Sequence, residues 1–539
     1  MALPTDPFFT SQWHLGNTGG LLDLNVRSVW DPFQGAAYTG AGIRVVVVDN
    51  GFDYNHSDLA PNYDTFLDFD WDANNNGDNG NNDFDPFGLD SNSHGTAVAG
   101  IIGADNNGTG AVGVAYDVSL VGYRTANLIS DGWLQDIRDS IHHGAVTTQG
   151  DVINISQGIA NDEDSEFGVG YNAARFDEIE AAIGDAVSQG RGGLGTTIVK
   201  SAGNSRADDY DVNADDWTND TRQVVVAAVD QDGFVSNYSS YGAAILVSAF
   251  GTNSEVVTTD RVGAAGYNNS DFAFFDGTSA AAPMVSGVVA LMYDANSGLG
   301  WRDVQSILAN SARHVGSGIG AGPSGDERYT WGFNQADTWN GGGLHFSNDY
   351  GYGLVDAHAA VRMAETWLLG GQTAQTSGNE FSNFIDMLNV STVVPDGNGT
   401  GLFFNGTASF DDEVERVTVT LDFETTWTGD LNLFVISPDG TVSELIDDTG
   451  SSTDYDGRWT FESQAFHGER AAGTWTVRIV DDAGSDTLTV ADIDVQIFGR
   501  ASVNDRYVFT DEFSNFAGIG GHTTFISDAN GGEDVVNAS

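Results

Sequence analysis

A chain of 539 residues with 20 basic and 77 acidic side chains carries a formal charge of −57, yet 40% of it is hydrophobic and 11% aromatic. That apolar content is ample for a core, so disorder is excluded, and at about 150 residues per domain the length makes several domains or one large domain with additions. So negative a field repels phosphate backbones and anionic lipid, which argues against nucleic acid and membrane surfaces as partners, and it attracts cations, calcium first among them. The abundant Asp fits a salt-adapted surface equally well. Lys200 is the single lysine. The chain has no cysteine, which removes disulfides, thiolate nucleophiles and Cys-ligated zinc. Apolar runs such as Val45 to Val48 are too short to cross a bilayer. Met1 to Thr10 lack the cationic start and apolar stretch of a signal peptide, so an export signal is expected to have been removed or to lie elsewhere.

In chain order, Ile43 to Val48, Val118 to Tyr123, Val152 to Ile155, Thr196 to Lys200, Val224 to Val229 and Ala244 to Ala249 read as strands buried on both faces. Between them Gly95 to Ile102, Trp133 to His142 and Phe176 to Gln189 carry apolar residues at spacings of three and four. The alternation predicts an α/β domain over 1–368, a mainly parallel sheet with helices on both faces and its chemistry at the carboxyl ends of the strands. Gly, Gln, Thr and Ser over 369–377 read as a linker. Arg416 to Phe423, Leu431 to Ser437, Thr474 to Val480 and Thr487 to Phe498 alternate and are split by turns, which predicts an all-β sandwich over 378–500. The Gly/Asp-rich stretch 501–539 is expected to be an extension, the start of a truncated calcium-binding module.

Three segments place a reactive side chain where the backbone turns tightly. Asp49 ends the run Val45-Val-Val-Val-Asp49-Asn-Gly51, His94 opens a small-residue helix in Ser93-His94-Gly95-Thr96, and Ser279 stands at a helix start in Gly277-Thr278-Ser279-Ala280-Ala281-Ala282-Pro283, with the proline in the first turn. Alone each has a bland reading: a turn acid, a satisfied polar ring, an N-cap. Together, in the order Asp, His, Ser and with Ser201-Ala202-Gly203-Asn204 between the last two, they match the subtilisin arrangement. Separately, Asp72-x-Asn74-x-Asn76-Gly77 followed by Asp83 fits a calcium loop, with Asp in place of the usual terminal Glu.

The sequence resembles the subtilases, and among them the kexin and furin group of proprotein convertases in a bacterial-type form. Further text carrying the resemblance is Gln12-Trp13-His14-Leu15, Asn55-His56-Ser57-Asp58-Leu59, Gln189 to Gly195, Val257 to Asp260 and Tyr350 to Asp356; Thr428 to Leu431, Ser437 to Thr441 and Ala472 to Thr476 resemble the P domain of that group. It implies a subtilisin-like domain followed by a jelly-roll-like P domain that packs against it, in a secreted, calcium-dependent serine endopeptidase that is a monomer and acts on protein or peptide substrates. Ser279 would attack the peptide carbonyl, His94 would take and return the proton, Asp49 would orient the imidazole, and Asn204 with the Ser279 backbone N–H would bind the oxyanion.

For calcium (Ca2+) the resemblance implies Asp70, Asp83 and Asp85 in the insert before the histidine, a set overlapping the loop pattern and left open beside it. It implies a second site from Asp6, Asp58 and Asn107 with carbonyls near Thr109, and a third beneath the specificity pocket from Asp211 and Glu255 with Asn161 or Asp162. Asp430, Asp481 and Asp482 are candidates for another ion in the P domain, against the reading of ordinary turn acids. The pocket edge reads Ser156-Gln157-Gly158, and Asp215 matches a family acid at the first subsite, so a preference for Arg or Lys before the cut is expected. The family acids of the second subsite become Asn50 and Ser91, and Trp133 and Gly170 stand where a more distant Arg would be read, so upstream selectivity should relax. A prosegment or external chaperone is an expected partner. Two rival readings are a broad degradative subtilase and an inactive adhesion or binding protein on the same fold.

Overall fold

The structure, a computed structural model, describes residues 3–538 other than 18–19, 32–34, 73–84, 89–91, 160–165, 169, 253–255, 448, 450, 502–503 and 526–533. After a one-turn helix, α1 (Arg27–Trp30), the first domain is organised by a seven-stranded parallel sheet in the order β2-β3-β1-β4-β5-β6-β7. The strands are β1 (Arg44–Asp49), β2 (Phe69–Asp70), β3 (Ser119–Arg124), β4 (Val152–Ile155), β5 (Thr197–Ser201), β6 (Val224–Val229) and β7 (Ile245–Phe250). Their β-branched runs are buried on both faces, as a parallel sheet under helices requires. On one face lie α2 (His94–Gly103), α5 (Thr278–Ala295), α6 (Trp301–Ser311) and α7 (Ala357–Thr366); on the other lie α3 (Asp131–His142) and α4 (Ala173–Gln189). The hairpin of β8 (Val256–Thr259) and β9 (Phe272–Phe275) packs on α2.

The second domain is two antiparallel sheets closed face to face. One holds Phe381–Leu388, Leu488–Ala501, Asp412–Thr425 and Tyr455–Ser463, with Thr392–Val394 on Leu488–Ala501; the other holds Leu402–Ala408, Gly473–Asp481, Leu431–Ile436 and Val442–Ile446. Alternation along Leu488–Ala501 and Gly473–Asp481 sends one set of side chains into a core of their own.

The two domains share a seam of aromatic packing and paired charge. Phe167 of the first packs among Phe423, Tyr455, Trp459 and Phe461 of the second, and Glu166 accepts from Thr449 Oγ1 at 2.9 Å. The guanidinium of Arg302, buried, donates to Glu415 at 2.6 Å and to the Gly499 carbonyl at 2.7 Å. Paired and hydrogen-bonded charge of this kind is tolerated in a seam where an unpaired one would be costly.

The sequence predicts the C-terminal stretch 501–539 as an extension. Its described part folds back on the first domain: Phe516 enters the main core, Asn340 N–H donates to the Val508 carbonyl at 2.8 Å, and Arg506 lies 3.6 Å over the Trp367 ring. The few apolar side chains of that stretch find burial there, which a Gly/Asp-rich composition conceals. Among the described residues no helix is long and apolar enough to cross a membrane.

Candidate active site

Three neighbouring strands, β1, β4 and β5, deliver the site at their carboxyl ends. Asp49 closes β1 and is wholly buried, its Oδ1 accepting from Asn50 N–H at 2.7 Å. Helix α2 begins against it because residue 95 is glycine: a Cβ there would stand 2.5 Å from the Gly51 carbonyl and 2.9 Å from the Asp49 Cβ. The close approach puts His94 Nδ1 2.9 Å from both Asp49 carboxylate oxygens, with the ring edge-on to Phe275. Burial of the ring disfavours its cation, but the Asp49 charge and hydrogen bond overcome that and hold His94 above the usual imidazole value.

Ser279 is the second residue of α5, and Ser156 follows directly on β4. The Ser279 hydroxyl donates to the Ser156 carbonyl at 3.0 Å, and the Ser156 hydroxyl donates back to the Ser279 carbonyl at 3.3 Å. That carbonyl is open because Pro283, four residues on, has no N–H to give it. The proline therefore sits one turn deeper than the first turn expected from sequence, inside α5, and frees an acceptor at the nucleophile. Asn154 and Ser286 fix Ser156 from behind, through bonds of 3.0 Å to Ser156 Oγ and 2.8 Å to Asn154 Oδ1.

Asn204 follows β5. Its Oδ1 accepts from Thr278 N–H at 3.0 Å and from Thr278 Oγ1 at 2.9 Å, which leaves Nδ2 to point away from the helix. Gly277, at φ +91°, has the left-handed backbone that a side chain resists, and a Cβ there would lie 3.4 Å from Asn204 Nδ2 and 3.5 Å from Ser279 N. Two amide donors thus border one space that the glycine keeps empty. The Ser279 N–H, in the first turn of α5, has no helical carbonyl to bond.

Around this centre Gln157 accepts from Thr125 Oγ1 at 2.9 Å, and Gly158 lies beside the buried Lys200. Asp215 is buried and accepts from Trp217 N–H at 3.3 Å and Thr218 N–H at 3.2 Å; burial raises its pKa and the Lys200 charge lowers it. Asn50 spends its Oδ1 on Gly95 N–H, and Trp133 is buried edge-on to Trp217. Gly170 adopts a positive φ, and Ser91 lies outside the described residues.

The expected calcium ligands divide. Asp6, Asp58 and Asn107 come together with Thr109: Asp6 Oδ1 accepts from Gly108 N–H at 2.9 Å, Asp58 Oδ2 from Ala111 N–H at 2.8 Å and Asn107 Oδ1 from Thr109 N–H at 2.9 Å. Asp6 Oδ2 is buried without a hydrogen-bond partner, and burial, aided by Asp58, pushes the carboxyl up against the backbone bonds it accepts. A buried orphan oxygen among acids suits a hard cation. In the insert, Asp70 and Asp72 instead face the buried guanidinium of Arg124, at 2.9 and 3.2 Å. Asp85 accepts from Tyr54 at 2.8 Å. It faces Asp68, which burial and the Asp85 charge raise to about 7. Asn74, Asn76 and Asp83 lie outside the described residues. So do Asn161, Asp162 and Glu255, leaving Asp211, whose Oδ2 is buried without a partner at the seam, near Arg328, Glu444 and Asp447. In the P domain both Asp481 oxygens are buried without partners, and burial, with Asp396 and Asp430, raises that carboxyl to about 6. Asp482 stands next in the chain, and of a further acid cluster of Asp386, Asp492 and Asp494 the last two are already engaged by Arg458.

Sequence reasoning missed Asp68, Arg124 and Lys200. Asp68 keeps the every-second-residue spacing of Asp70 and Asp72 and was readable; the other two lie on strands among apolar residues, where nothing local marks a partner.

An α/β sheet with a carboxylate–imidazole pair, a hydroxyl and paired amide donors at adjoining strand ends is the arrangement of a serine protease. Comparison with known proteins fits it: residues 40–353 match the Subtilase family and residues 414–497 the proprotein convertase P-domain, and the chain belongs to the subtilase family. Human neuroendocrine convertase 2 is 31% identical over 496 residues, 88% of this chain and 70% of that protein. Furin-1 of Xenopus laevis is 30% identical over 522 residues, 93% of this chain and 59% of that protein. Among solved structures the serine protease of Aeromonas sobria, in complex with a chaperone, superposes with TM-score 0.75 at 22% identity, covering 93% of this chain and 96% of that one, a likeness of fold. The protein is a subtilisin-like serine protease of the proprotein convertase type.

Proposed function

We propose that the protein is a secreted, calcium-dependent endopeptidase. Ser279 Oγ turns from the Ser156 carbonyl toward the imidazole and attacks the scissile carbonyl as His94 takes its proton; His94 then returns that proton to the leaving amine. Asp49 holds the ring in the tautomer with its proton on Nδ1 and stabilises the imidazolium. Asn204 Nδ2 and the Ser279 N–H bind the oxyanion. The observation that carries this reading is the space beside Gly277, bordered at 3.4 and 3.5 Å by these two donors and next to the serine. Donors fixed before the reaction cost no reorganisation when charge develops.

Calcium at Asp6, Asp58 and Asn107 would tie the N-terminal segment to the loop at Thr109 and supply charge balance, with no part in the bond-breaking. A prosegment or separate chaperone is the proposed folding partner. The preference for Arg or Lys at P1, the residue on the amino side of the cut, that Asp215 would favour is opposed by the buried Lys200, while demand upstream is relaxed where Asn50 carries no charge. A fluorophosphonate should label wild-type protein on Ser279 alone, with peptide cleavage lost in parallel and in Ser279→Ala. Absence of labelling in folded protein with calcium present refutes the reading.

A further inference from the structure

Lys200 is the chain's single lysine, and every other basic residue is arginine. It is 1% exposed, four residues before Asn204 on β5. Its ammonium donates to the Ser201 carbonyl at 2.8 Å and lies 4.7 Å from the centre of the Trp217 ring. A Cβ on Gly158 would come within 3.3 Å of its Nζ. Gly158 is two residues past Ser156, whose carbonyl holds the Ser279 hydroxyl, and Ser201 lies just ahead of Asn204. The ammonium is therefore wedged between the two strand ends that flank the nucleophile and the oxyanion donors. A substrate carbonyl seated between Ser279 and Asn204 sends its P1 side chain between those same strand ends. Asp215, the acid that would greet a basic side chain there, accepts at 3.3 Å from the backbone N–H of Trp217, the residue whose ring the Lys200 ammonium faces.

We infer that Lys200 is a specificity-determining residue: its ammonium takes the place beside Asp215 that the head group of a basic P1 side chain would take, so the protease cleaves after uncharged residues and discriminates against Arg and Lys. This rests on the protease reading above. Burial lowers the Lys200 pKa to about 8 against the pull of Asp215, so the ammonium persists at neutral pH. A second cation brought beside a buried ammonium meets repulsion that a low-dielectric surrounding strengthens. The small gap at Gly158 also explains lysine: a guanidinium is broader and less compact than an ammonium.

The test uses four quenched fluorescent peptides identical except for Leu, Gln, Arg or Lys at P1, with active sites counted by fluorophosphonate uptake. Wild type should favour Leu and Gln. Lys200→Met, a similar length without charge, should raise the Arg-to-Leu ratio of kcat/KM by about tenfold or more, as removal of a nearby like charge does. Lys200→Met with Asp215→Asn should lose that gain. Wild type that labels on Ser279 yet favours Arg or Lys overturns the inference alone, whether or not any variant folds. So does a labelled Lys200→Met with an unchanged ratio. Wild type that neither labels nor cleaves any of the four overturns the protease reading as well.

Discussion

Replacing Asn204 tests the oxyanion assignment, because its amide has two separable duties. Oδ1 accepts from Thr278 N–H at 3.0 Å and Thr278 Oγ1 at 2.9 Å, while Nδ2 borders the space beside Gly277 at 3.4 Å. Asn204→Ala removes both; loss of the donor should lower kcat by ~10²- to 10³-fold, about 3 to 4 kcal/mol of transition-state stabilisation. Leaving the two Thr278 donors without their acceptor adds a stability loss of about 1 to 3 kcal/mol. Asn204→Asp keeps the shape and the acceptor but points negative charge at the oxyanion, so its kcat should fall at least as far with a smaller change in melting temperature. Initial rates on one peptide across substrate concentrations, with thermal melts of both variants, separate the two effects. KM should move little, since the donor acts on charge that appears only in the transition state. A fall in kcat below about fivefold in both variants, with Ser279→Ala inactive, would remove Asn204 from the mechanism.

The pH profile follows from His94, which must be neutral to accept the Ser279 proton. Its pKa is raised above 6.5 in the fold, so kcat/KM should be full at higher pH and fall as pH drops through a midpoint above 6.5. Asp49→Asn should move that midpoint down and lower the plateau by about 10⁴-fold; an unmoved midpoint would mean that Asp49 does not govern the ring. Calcium removal by chelator should lower the melting temperature, because an ion bound only by the native state stabilises it by mass action. Asp6→Asn should abolish most of that calcium-dependent shift in differential scanning, and a shift that survives intact would place the responsible ion elsewhere.

Much of the first domain was legible because parallel strands buried on both faces must be continuous apolar runs. Val152–Ile155 and Val224–Val229 fall where the sequence reading placed them, and the others shift by a residue. In the P domain Asp412–Thr425 and Gly473–Asp481 were visible by alternation. Leu402–Ala408 and Phe381–Leu388 were not, since their faces stay partly exposed and the pattern is diluted. The contacts of the tail were not legible for a related reason: Val508 and Phe516 are too few to announce a partner that lies more than a hundred residues away.

What the sequence determined by itself was local: which side chains end strands or open helices, where glycine lets backbones approach, and the order Asp49, His94, Asn204, Ser279 along the chain. Strand order was a tertiary decision. Setting β1, β4 and β5 side by side brings Asp49, Ser156 and Asn204 to one edge, and only then can Pro283 matter by freeing the Ser279 carbonyl for Ser156. The charges were settled the same way. Arg124 on β3 claims Asp70 and Asp72 because an ion buried in a low-dielectric interior must find its partner across space, whatever the separation along the chain.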